Sequence, residues 1–158
     1  MTRSRPPAPS AAKQLAALMK RYTPEVAAVA RAAVARIRRQ LPGAVELVYD
    51  NYNALVIGFG PSERASEAVL SIALYPRWVN LFFLQGATLY DPDGMLQGQG
   101  RRVRHVRLED ARVLDEPPVR GLIARALAAA PRPLDPRSRR RIVVRAISTR
   151  QRARRPRA

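Results

Sequence analysis

The sequence predicts an α+β fold: an antiparallel five- to six-stranded sheet with helices packed on one face. Three observations predict it. Apolar residues recur at helical spacing up to residue 43, the period changes to two from residue 44, and short turn signals join the alternating stretches in succession. At 158 residues a single domain is expected. Its expected limits are 11–148, after a disordered leader over 1–10 and before a disordered basic tail over 149–158.

Each element has a local cause. After the Pro-rich start, Ser10 can cap a short helix that carries Leu15, Leu18, Met19 and Tyr22 on one side. A second helix has Thr23 as its cap, Pro24 in the first position and Glu25 where the helix dipole favours an anion. Its apolar stripe is Val26, Val29, Ala30, Ala33, Ile37 and Leu41, and Leu41-Pro42-Gly43 ends it. Arg36, Arg38 and Arg39 in its last turns suit the carbonyl end and read as a solvated face.

Strands follow at Val45–Asp50, Leu55–Gly60, Glu67–Tyr75, Trp78–Gln85 and Val103–Leu108. The connections between the first four are short, which implies a meander. In the fourth, Trp78 and Phe82 oppose the core-facing Val79, Leu81 and Phe83, so they need a cover or a ligand. A third helix is expected from an Asp115 cap through Val119, Leu122, Ile123 and Leu127. The β-branched run RIVVRAIS at 141–148 adds a sixth strand.

Composition excludes several chemistries. There is no cysteine, hence no disulfide, thiolate metal site or cysteine nucleophile, and the single histidine, His105, excludes a two-imidazole site. No apolar run approaches the roughly 18 residues of a membrane-spanning helix. Lys plus Arg number 29 against 12 Asp plus Glu, a net charge of +17, and all the bases but Lys13 and Lys20 are arginine. The excess sits at the ends: residues 132–158 hold 11 bases and one acid, Asp135, while residues 21–131 are nearly balanced. GC-rich codon usage produces the same composition and competes with any functional reading of the arginines.

Two segments carry the candidate chemistry. In GQGRRVRH at 98–105, two glycines can turn backbone N–H groups into a concavity beside Arg101, Arg102 and Arg104. The competing reading is a glycine loop entering an edge strand with solvated arginines. In YDNYN, Tyr49, Asp50, Asn51, Tyr52 and Asn53 crowd five hydrogen-bonding side chains around a turn, more than a hairpin requires. No nucleophile elbow or paired-base spacing accompanies His105, so catalysis is not expected.

Several stretches resemble the YdhG-like family, a group of bacterial domains of unknown function. They are SIALYPRWVNLFFLQGATL, DPDGMLQGQGRRVRHVRL and the ending IVVRAISTRQRARRPR. Some relatives are described as frataxin-like iron chaperones, so the resemblance implies an α+β sandwich with a role in iron delivery. YDNYN stands where that branch has a Tyr-Gly-Met-Pro turn, and no acidic ridge for iron is present.

The expected function is therefore non-enzymatic binding of a small anionic or polar ligand in a bacterial cytoplasmic protein, without a cofactor. The expected site is a sheet-face concavity that includes Tyr49, Asp50, Tyr52, Trp78, Phe82, Arg101, Arg104, His105 and Arg107. The alternative is nucleic-acid association through Arg150, Arg152, Arg154, Arg155 and Arg157 of the tail, driven by phosphate contacts and blind to sequence. An iron-chaperone role is a second alternative. On either reading the tail buries nothing, and its removal is expected to leave the melting temperature unchanged.

Overall fold

The computed structural model describes residues 8–157. Most of the expected leader, residues 1–7, lies outside them. Helix α1 spans Ala11–Met19, with the Ser10 hydroxyl accepting from the Lys13 N–H at 3.2 Å. Helix α2 spans Pro24–Gln40 and is capped by Thr23, whose Oγ1 accepts from the Val26 N–H at 3.3 Å. Ala27, Ala30 and Ala33 are buried along α2, and these small side chains let its backbone lie close to the sheet.

Strands β1 (Val45–Asp50), β2 (Leu55–Gly60), β3 (Leu70–Leu74), β4 (Val79–Phe83) and β5 (Arg104–Leu108) form an antiparallel meander. Helix α3 (Pro117–Ala129) carries the chain from the β5 edge to the opposite edge, where β6 (Arg141–Ile147) pairs parallel with β1. The order across the sheet is β5-β4-β3-β2-β1-β6. The register between β1 and β6 shifts after Val48, so Arg145 is an extra residue in β6.

Alternation divides the sheet cleanly. Val48, Leu55, Ile57, Phe59, Leu70, Ile72, Leu74, Val79, Leu81, Phe83, Val106 and Leu108 join the core beneath the helices. Each fully buried aliphatic or aromatic side chain there contributes about 1.5–3 kcal/mol. The opposite face presents Leu47, Tyr49, Val56, Gly58, Ser71, Ala73, Asn80, Phe82, His105 and Arg107, none of which belongs to that core.

Some limits differ from the sequence expectation. β3 starts at Leu70 because Ala65–Glu67 is a 3₁₀ turn, and β4 and β5 are trimmed to Val79–Phe83 and Arg104–Leu108. Asp115 does not cap α3. It ends the 3₁₀ turn Ala111–Asp115 and pairs with Arg36 at 2.9 Å, leaving Glu116 as the cap residue without a side-chain bond. Nor is Arg38 solvated at the end of α2. It binds both oxygens of the buried Glu46 at 2.8 Å.

Gly43 ends α2 at φ +81°, and a Cβ there would lie 2.0 Å from the Asp135 carbonyl oxygen. Gly94 is also left-handed, at φ +63°, but a Cβ would meet nothing within 4 Å. Gly94→Ala should therefore cost only the conformational term, about 1–2 kcal/mol. Gly43→Ala should cost clearly more, because the turn that starts β6 must also move. Equal costs in urea unfolding would contradict this geometry.

Candidate functional site

The polar cluster of YDNYN is split by strand alternation. Asp50 shares a parity with Val48 and points to the helix side, whereas Tyr49 points to the other face. Asp50 is 1% exposed, and a carboxylate so buried requires compensating partners. The C-terminal segment supplies most of them. Arg154 Nη2 donates to Asp50 Oδ1 at 2.8 Å, and Gln151 Nε2 donates to Oδ2 at 2.7 Å. From the end of α1, Arg21 Nη1 donates to Oδ2 at 3.3 Å and to Gln151 Oε1 at 2.7 Å.

Residues 149–157 are accordingly not a disordered tail. Arg154 is itself buried, at 4% exposure, and also donates to the carbonyls of Asn51 and Tyr52. Its guanidinium lies 5.7 Å from the Tyr22 ring, and the Tyr22 hydroxyl accepts from the Leu55 N–H at 3.0 Å. Burial pushes the Tyr22 phenol above its ordinary pKa, with Arg154 opposing. The Ser148 N–H donates to the Asp50 carbonyl at 2.8 Å, and the Arg152 N–H to the Tyr52 carbonyl at 2.9 Å. Arg155 reaches the Lys20 and Arg21 carbonyls at the end of α1, where a cation suits the helix dipole.

The expected sheet-face concavity is not assembled as one pocket. Tyr49, Phe82, His105 and Arg107 do share the helix-free face. But β1 and β5 are four strand spacings apart, so Tyr49 and Arg107 stand about 19 Å from each other. His105 packs against Phe82 with the rings tilted by 51° and their centroids 5.4 Å apart, and Arg107 lies 5.0 Å from the Trp78 ring. Arg104 donates to the carbonyls of Gly100 and Val103, so its guanidinium closes its own loop. Arg101 and Arg102 are exposed on that loop. Its two ends, Gln97 and His105, exchange backbone bonds of 2.8 and 2.9 Å, so GQGRRVRH is an edge hairpin and does not form an anion cradle.

The segments do converge elsewhere. The β1–β2 turn, the β3–β4 turn and the C-terminal segment meet at one end of the sheet, around a groove of about 520 Å³. It is lined by Asn53, Tyr75, Pro76, Arg77, Trp78, Arg152 and Ala153. Tyr75 and Trp78 rings lie 5.8 Å apart, and burial pushes the Tyr75 phenol up, so it remains a neutral hydroxyl at pH 7. Arg152 lies 5.6 Å from the Tyr52 ring, which is 47% exposed. No carboxylate lines the groove, and among the described residues neither Arg77 nor Arg152 forms an ion pair.

Of the residues expected from sequence, the groove takes only Trp78 from the ligand set and Arg152 from the nucleic-acid set. Asn53 comes from the YDNYN cluster that the sequence singles out, whereas Arg77 and Tyr75 are groove residues outside the sets expected from sequence. The signal for Arg77 and Tyr75 is the turn YPRW itself, which by sequence alone is a strand connection. Among the described residues, no three His, Asp or Glu side chains gather as a metal site, and no helix is long and apolar enough to cross a membrane. No protein-family model, curated protein or solved structure matches the chain.

Removing residues 149–158 should strip Asp50 of Arg154 and Gln151 and leave the carboxylate with the half-exposed Arg21 as its remaining charged partner. That costs about 3–5 kcal/mol, which corresponds to a fall in Tm of roughly 10 °C. Arg154→Ala should reproduce most of the loss, and adding Asp50→Ala should cost less than the two single changes together. A truncated protein melting with the full chain would return residues 149–158 to the status of a disordered tail.

Proposed function

We propose that the protein is a non-enzymatic binding module of the YdhG-like type, and that it takes a small anionic ligand in the Trp78–Arg152 groove. One observation carries this reading. Two exposed guanidiniums, Arg77 and Arg152, flank aromatic walls in a groove with no carboxylate. An anion entering it gains charge-assisted hydrogen bonds, and a planar or apolar part of the same ligand can cover Trp78 and Tyr75. Asn53 offers an amide that both donates and accepts.

Binding fits these side chains better than catalysis. Asp50 is committed to Arg154, and the His105 ring packs against Phe82 away from the groove. An acid–base pair of Asp50 and His105 would have to act across the sheet, since the two project from opposite faces. The iron-chaperone alternative gains no support from any carboxylate cluster among the described residues.

Phenyl phosphate, which joins a ring to an anion, is a suitable calorimetric probe. Arg152→Ala should weaken its binding about ten- to hundredfold, the worth of one charge-assisted hydrogen bond. The change should leave Tm unaltered, because the Arg152 side chain is exposed and the Arg152 backbone bond to Tyr52 persists. Unchanged affinity in both Arg77→Ala and Arg152→Ala would remove the groove as the binding site.

A further inference from the structure

We infer that the ligand class of this site is single-stranded nucleic acid, held with one base at the groove and the next bases along the helix-free side of β4. The inference rests on the groove being the anion site, and extends it in length and chemistry.

The groove does not end at Trp78. From Trp78 the same side of β4 continues through Asn80 to Phe82, flanked on β5 by Arg107 and His105. Two stacking platforms result. Trp78 is 38% exposed and has Arg107 at 5.0 Å, while Phe82 is partly exposed and has His105 at 5.4 Å. They lie four residues apart on one strand, about 13 Å, which is further than one nucleobase spans. A single nucleotide can cover one platform; a strand can cover both.

Between the platforms stands Asn80, which is 7% exposed and forms the floor between the two rings. The neighbouring β3 positions on this face are Ser71 and Ala73, small enough to leave the rings standing proud of the sheet. An open sheet carrying aromatics, with cations at its margin, is the general physical solution for single strands, whose unstacked bases need π surfaces and whose phosphates need counter-charge. Here the cations are Arg77 and Arg152 of the groove and Arg107 beside Trp78, with Glu25 and Glu109 on the other side of that arginine, and the chain's +17 adds long-range attraction for a polyanion.

Trp78 is the only tryptophan, so its fluorescence reports the site without a label. Four probes should be titrated into the full chain: inorganic pyrophosphate, thymidine monophosphate, and oligothymidylate and oligouridylate of about eight nucleotides, a length one such platform accommodates. The oligonucleotides should quench Trp78 and bind at least tenfold tighter than the mononucleotide, with affinity falling steeply in salt. Phe82→Leu keeps the apolar volume and removes the ring. It should weaken oligonucleotide binding roughly five- to hundredfold and leave the mononucleotide unaffected.

Oligonucleotides binding no better than the mononucleotide, or indifferent to Phe82→Leu, would overturn the inference while leaving the groove as an anion site. If neither pyrophosphate nor any nucleotide bound, both readings would fail.

Discussion

A carboxylate pointing into the helix side of the sheet, Asp50, organises one whole end of this molecule. Its burial is unfavourable unless the charge is matched, and the matching cation, Arg154, comes from more than a hundred residues downstream. That single pairing draws residues 149–157 back across the β1–β2 turn. Around it Gln151, Arg21 and Arg155 tie the C-terminal segment to the end of α1, while Tyr22 shields the guanidinium from below the turn. The result is a polar network in which Asp50 and Arg154 each have several partners, with only the buried Nε of Arg154 left without one among them.

The functional consequence is indirect but specific. Arg152 precedes Arg154 by two residues, and its backbone bond to Tyr52 holds it at the groove's rim. A free arginine tail would offer phosphate contacts without direction. The docked segment instead places one arginine against Tyr52 and beside the turn that carries Arg77 and Trp78. An arginine on a docked backbone loses less conformational entropy on binding than one on a free tail, so under the proposed function the latch makes a run of charge part of a shaped site.

Much of the fold was legible in the residues, and the site was only partly so. β1 and β2 coincide with their alternating stretches, and Thr23, Pro24 and Gly43 mark the ends of α2, because caps and periodicity act locally. The β-branched run near the C-terminus does form β6, but no local pattern shows that it pairs parallel with β1. Counting Asp50 with Tyr49 as one polar cluster makes it ligand-facing, although adjacent strand residues project from opposite faces. The parity it shares with Val48 already marked it as a buried acid in need of a cation. Arg154 could not be distinguished from its neighbours by composition, since a buried arginine becomes visible only with the long-range partner that holds it.

The central claim, that the C-terminal segment is a docked structural element, is tested most directly by amide hydrogen exchange. The Ser148 amide donates to the carbonyl of Asp50 at the end of β1 and the Arg152 amide to that of Tyr52 in the β1–β2 turn, and in the full chain they should exchange only through opening of the latch, far slower than unstructured amides. Arg154→Ala should release them while the amides of β2 and β3 stay protected. Exchange of Ser148 and Arg152 at free-peptide rates in the unaltered chain would contradict the account.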